Sequence, residues 1–281
     1  MQTTATQTTA KVIGVLGAKG GVGATTISIN LAAALALSST RDTISLLDAN
    51  LQQPDAACLL NCNPRYSLLD LTRRSAEVLQ IDTEVIAACA ENIVLEPAKL
   101  ARQFRLFSPP LDANQALQVS LADVGRLLST FKELPGTCVV DLPRSVNLDL
   151  VSMLDLCDCI VLVLEPTVTA LAAARRWFDV FQDLGIASDR LVAVLNRSGG
   201  KLKEIEKQLS ADLNGVSLLR LPNAYEACEG ASIEGVPVLA KYPRIAFSKA
   251  VDNLLSICQR AGLDSQKTNW NAQQIVSGQE K

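Results

Sequence analysis

The sequence predicts a doubly wound, mostly parallel α/β sheet with helices on both faces. Three observations carry that prediction. Short apolar runs rich in Val, Ile and Leu recur along the chain without polar alternation, as in strands buried on both faces. Helical patterns lie between them, giving a β-α-β rhythm. Hydrophobic residues make up 48% of the chain but aromatics only 4%, so the core must be built mainly from aliphatic side chains.

The strands are expected at Val12–Leu16, Ile44–Leu47, Ile93–Leu95, Cys138–Val140, Ile160–Leu164, Leu191–Leu195 and Val216–Leu221. Helices are expected at Thr26–Leu37, Leu121–Phe131, Ala170–Leu184, Lys201–Leu213 and Ile245–Cys258. The stretch from Leu51 to Glu91 has weaker periodicity and is expected to hold two or three short helices. Right-handed crossovers would distribute the helices over both faces. A ligand in such a sheet sits at the carboxyl ends of the strands. Residues 11–262 read as one domain, flanked by a polar, low-complexity lead-in at 1–10 and a polar tail at 263–281.

Composition removes several functions. The 281 residues contain no histidine, which excludes His-based triads and His metal sites. The net charge of −3 and the pI near 5.2 argue against binding of bulk DNA. Eight cysteines occur without a C-x-x-C pair, so reduced, buried thiols in a cytoplasmic protein are expected. No stretch approaches the roughly 20 apolar residues of a spanning helix, so no insertion into a membrane is expected.

The run G-A-K-G-G-V-G-A-T-T, Gly17 to Thr26, follows an apolar strand and opens a helix. That is the setting of a phosphate-binding loop. Glycines let the backbone curl so that successive N–H groups point inward, and the following helix adds the positive end of its dipole. Thr25 stands where a hydroxyl would bind Mg²⁺ beside the phosphates. Asp48 closes the second strand and Asp141 closes the strand T-C-V-V-D, in the order that a Mg²⁺ site needs. A cap or turn role is the alternative for Asp48.

These residues resemble the deviant Walker A box of the ParA/MinD superfamily of P-loop NTPases, K-G-G-x-G-K-S/T. Lys19 matches its signature lysine, which in that family reaches across a dimer to the partner's nucleotide. Gly20, Gly21, Gly23 and Thr25 match as well, with Val22 and Thr26 completing the loop. Ala24 departs from the pattern, because the ordinary Walker lysine is expected there. The superfamily has D-x-D after its second strand. Asp48 matches the first carboxylate, near the Mg²⁺ shell, and Asn50 falls on the second, which orients the attacking water. Asparagine can hold a water but cannot accept its proton. Asp141 matches the Walker B aspartate. Asn196 and Arg197 in L-N-R, and Pro222 in L-P-N, occupy segments that contact the base in this superfamily, although a turn role is nearly as well supported for each.

Within the superfamily the chain is most similar to pilus-assembly localisation ATPases of the TadZ/CpaE type. D-A-N-L-Q-Q-P-D keeps the spacing of their D-x-D-L-x-x-G-D, with Asp55 on the last Asp and Pro54 in place of Gly. D-L-P-R (Asp141 to Arg144), L-E-P-T-V-T-A-L-A-A-A-R-R (Leu164 to Arg176) and E-G-V-P-V (Glu234 to Val238) resemble that group too. The resemblance implies ATP/ADP and Mg²⁺ as ligands and a homodimer formed on ATP binding. It also implies protein partners in a polar pilus, secretion or positioning system, and slow hydrolysis. A DNA-partitioning or cargo-positioning ATPase is the alternative. A kinase-like module of polysaccharide export fits less well, since no tyrosine follows Tyr242 and the Walker lysine is absent.

Overall fold

The computed structural model describes residues 10–39, 42–77, 83–95, 102–199 and 215–261, together with Leu209 and Leu213. The expected helix at Lys201–Leu213 and both expected tails lie essentially outside the described residues. Strands β1 (Lys11–Gly17), β2 (Ile44–Asp48), β3 (Glu91–Leu95), β4 (Arg102–Phe107), β5 (Thr137–Leu142), β6 (Cys159–Leu164), β7 (Leu191–Ser198) and β8 (Ser217–Pro222) form one sheet. Its order is β3-β4-β2-β5-β1-β6-β7-β8. Every neighbouring pair is parallel except β3 with β4 at one edge.

Alternate residues of the central strands serve opposite faces. On β1, Val12 and Leu16 join one apolar cluster, and Ile13 and Val15 join the other. This explains the missing polar alternation, since neither face of the strand meets water. Helices α1 (Ala24–Ser38), α2 (Asp55–Leu59), α9 (Tyr225–Glu234), α10 (Val238–Lys241) and α11 (Ala246–Arg260) contribute to one cluster. Helices α3 (Leu68–Glu77), α6 (Leu121–Glu133), α7 (Leu148–Leu156) and α8 (Val168–Asp183) contribute to the other, beside the short α4 (Thr83–Ala88). The short α5 (Ala113–Ala116) precedes α6. Helix α1 is buried continuously from Ile27 to Ala36, which fits its nearly all-apolar sequence.

All seven expected strands are present, and the stretch from Leu51 to Glu91 holds three short helices. The sequence reading missed β4. Its segment R-Q-F-R-L-F carries three polar residues, yet Phe104, Leu106 and Phe107 are buried while the Arg102 guanidinium donates to the Ser39 carbonyl. It also missed α7, whose first turn is capped by Asn147, and α9.

Candidate functional site

The carboxyl ends of β1, β2 and β5 meet at one cleft. The loop from Gly17 to Gly23 turns there into α1. Gly21 and Gly23 have φ of 77° and 92°, in the left-handed region where a side chain is strained. At Gly23 a Cβ would also lie 2.6 Å from Nδ2 of Asn196. That amide donates to the Val22 carbonyl at 2.8 Å, bracing the loop from β7. Helix α1 begins without any side-chain cap and without an acidic residue in its first turn. Helices α6, α7 and α8 begin with Ser120, Asn147 and Thr167 caps, while α2, α9, α10 and α11 also lack a side-chain cap. What sets α1 apart is that its uncapped start follows the glycine loop at the cleft, where its first N–H groups can meet an anion.

Below the loop lie two buried carboxylates, Asp48 and Asp141, side by side in register on β2 and β5. Thr25 Oγ1 donates to Asp141 Oδ2 at 2.6 Å. Ser28 Oγ lies 3.2 Å from Asp141 Oδ1 and 3.0 Å from the Ala24 carbonyl, sharing one proton between them. Burial pushes the Asp141 carboxyl up to about 6 against the pull of those two hydroxyls. Burial, and then the charge of Asp141, hold Asp48 well above the ordinary range, although the backbone N–H groups of Asn50 and Ala56 donate to it at 3.0 and 3.3 Å. Among the described residues neither acid forms an ion pair. Asp48 thus also accepts from the first turn of α2, whose N-cap is Pro54.

The cleft, of about 270 Å³, is lined by Lys19 and Gly21 to Thr26, by Asn50, Gln53 and Asp55, by Asp141 and by Arg144 and Arg197. Asp48 lies beneath this lining. A second cavity of about 270 Å³ shares Thr26, Leu59 and Arg197 with the first and extends along Asn30, Tyr225, Cys228 and Glu229. Asn196 and Pro222 line neither cavity. Arg197 sits at φ 52°, beside an irregularity in the β7–β8 pairing. The sequence reading missed Ser28 as a partner of Asp141, though it lies one helical turn beyond Thr25. It missed Glu165 as well. This residue follows β6 and holds Lys19 Nζ at 2.7 Å and Arg197 Nη1 at 3.1 Å, and its carboxyl is lowered chiefly by the Lys19 contact.

These residues fit Mg²⁺ and a phosphate group. Two buried acids that form no ion pair among the described residues, next to a hydroxyl that gives its proton to one of them and keeps its lone pairs, form an oxygen-rich setting for a hard divalent ion. The uncapped helix start and the glycine cradle offer N–H donors to an anion.

The ParA family model, described as NUBPL iron-transfer P-loop NTPase, matches residues 8–253. The chain belongs to the ParA family. A curated relative, an uncharacterized ATP-binding protein of Methanocaldococcus jannaschii, is 21% identical over 241 residues, covering 85% of this chain and 84% of its own. Among solved structures, a ParA family ATPase from Chlorobium tepidum superposes with a TM-score of 0.76 at 19% identity, covering 88% of this chain and 98% of that one. The septum site-determining protein MinD of Pyrococcus horikoshii, solved with Mg-ADP, gives 0.70 at 18%, covering 92% and 99%. The shared architecture is the eight-stranded, mostly parallel sheet of ParA-type P-loop NTPases.

The cysteines of this ParA-family chain are free thiols where described. Cys89, Cys138, Cys157, Cys159 and Cys258 are buried, and burial pushes Cys157 up to about 12. Among the described residues no group of three or more Cys, Asp or Glu is placed to hold a metal ion. Among the same residues no helix is long and apolar enough to cross a membrane.

Proposed function

We propose that this ParA-family chain is an ATP-binding, nucleotide-gated dimeric localisation factor that serves a pilus or secretion apparatus of the TadZ/CpaE kind and turns ATP over slowly. The observation that carries the reading is the pairing of the start of α1, at the end of the glycine loop, with the part-buried Thr25–Asp141 contact below it. Lys19 to Thr26 would hold the phosphates, and Thr25 with Asp141 would hold Mg²⁺, with Asp48 adding negative charge from beneath. When bound, Mg²⁺ would neutralise phosphate charge and offset the buried acids. The second cavity, reached past Thr26 and Arg197, has room for the nucleoside.

Slow turnover follows chiefly from Asn50 on the cleft wall, which cannot take a proton from water. Dimerisation is supported by apolar side chains on the same edge of the sheet. Val146, Leu148 and Val168, just after β5 and β6, are 60–80% exposed. The chain's acidic balance supports recruitment by protein partners over bulk DNA.

Calorimetric titration with a non-hydrolysable ATP analogue, with and without Mg²⁺, tests the reading. Mg²⁺-dependent binding is expected. A folded protein that gives no heat at millimolar nucleotide overturns it.

A further inference from the structure

We propose that Arg144 supplies, within the same chain, the phosphate-facing cation that the loop lacks at Ala24. The inference rests on the nucleotide reading above and concerns a residue whose role neither the loop motif nor the family match assigns.

The geometry brings Arg144 to the loop from the far side of the cleft. It follows β5 by two residues, and the buried Pro143 anchors the chain there beside Asp141. The guanidinium approaches Gly20 with Nη1 foremost. A Cβ at that glycine would sit 2.5 Å from Nη1 and 3.5 Å from Cζ. The glycine thus leaves the space in which the guanidinium rests. Arg144 shares the cleft wall with Ala24, the missing lysine's own position, and with its neighbour Thr25.

Charge accounting selects Arg144 among the cleft's three cations. Lys19 and Arg197 are both held by Glu165, at 2.7 and 3.1 Å. Among the described residues Arg144 has no carboxylate within ion-pair distance. Its Nη2 donates to the neutral Gln53 Oε1 at 3.3 Å, which orients the group without neutralising it. A guanidinium is always charged, and its forked N–H groups match phosphate oxygens in a plane. Its reach from the β5 side replaces the reach of a lysine from α1.

The test measures affinity for a non-hydrolysable ATP analogue and for ADP, each with Mg²⁺, in the wild-type chain, Arg144→Ala, Arg144→Gln, Arg144→Lys and Ala24→Lys/Arg144→Ala. Arg144 is exposed, and circular dichroism checks that each variant is folded. Arg144→Ala and Arg144→Gln are expected to weaken the ATP analogue about 10- to 100-fold and ADP less, Arg144→Lys to keep part of the affinity, and Ala24→Lys to recover at least about 10-fold in the Arg144→Ala background. Neutral variants that bind the analogue within about twofold of wild type overturn the assignment and leave the loop reading standing. So does a loss that Ala24→Lys does not recover. A wild-type chain that binds no nucleotide removes the loop reading and the role of Arg144 together.

Discussion

On one side of the cleft, at the ends of β2 and β5, Asp48 and Asp141 are buried and hold only hydroxyl and backbone N–H donors. On the other side, just beyond β6, Glu165 holds two cations of its own chain. The consequence shows in their proton affinities. Burial raises both aspartates, whereas the Lys19 contact lowers Glu165. Glu165 is a finished ion-pair site. The aspartate pair is an unfinished one, and a buried charge without a partner is costly. The fold tolerates that cost where a cation from outside the chain can offset it.

Removing the unfinished acid should produce the largest effect. Asp141→Asn is expected to abolish the Mg²⁺-dependent part of nucleotide affinity, a loss of at least about 100-fold, while Thr25→Ala loses somewhat less. Titrations with and without Mg²⁺ read both. Equal Mg²⁺ dependence in Asp141→Asn and wild type would show that the acid pair is not the metal's seat.

The same acid makes the ligand-free fold sensitive to pH in an unusual direction. Its folded-state value of about 6 lies above the ordinary 3.8, so the native state binds this proton more tightly than the unfolded chain. The stability it contributes is complete below the ordinary value and is lost as pH rises through 6, by roughly 2–3 kcal/mol. Glu165, lowered in the fold, works the other way and loses its contribution as pH falls. Urea denaturation at about pH 4.5, within that window, and about pH 7.5, above it, should therefore show Asp141→Asn gaining on wild type at the higher pH. A difference that does not depend on pH would count against the raised acid.

Turnover tests the altered water-positioning residue of the cleft wall. Asn50→Asp is expected to release phosphate about 10- to 100-fold faster than the wild-type chain, whereas Ala24→Lys adds less while Arg144 is present. A wild-type rate that Asn50→Asp does not improve would mean that the water-positioning group lies elsewhere.

The finished side should respond least. Glu165→Gln releases Lys19 and Arg197 but is expected to cost under about 1 kcal/mol of stability, as for other partly exposed ion pairs. ATP-dependent association should tighten a few-fold, since Lys19 no longer has to leave a partner in its own chain. Lys19→Ala should weaken association far more than it disturbs the melting temperature. Light scattering distinguishes these outcomes, and a monomer in every variant, with and without ATP, would dismiss the gated dimer.

Much of the molecule was legible in the residues because local physics wrote it there. The central strands announced themselves by unbroken apolar runs, as both their faces are covered. The loop was legible because Gly21 and Gly23 sit at positive φ, a requirement few other residues meet. Asp141 was legible as an acid closing an apolar strand. β4 was not, because Arg102 and Arg105 make its segment look solvated, and only pairing with β2 and β3 turns it into sheet.

The sequence by itself determined the fold class, the phosphate loop and the loss of a lysine at Ala24, since each depends on residues close together along the chain. The tertiary structure decided which distant groups share the cleft. It placed Asp48 under the wall and not on it, turned the Asn196 amide onto the Val22 carbonyl, closed Glu165 onto Lys19 and Arg197, and laid Arg144 against Gly20. These contacts join residues from 8 to 174 positions apart. No periodicity or spacing encodes them, because they arise only when crossovers bring separate strand ends to one edge of the sheet.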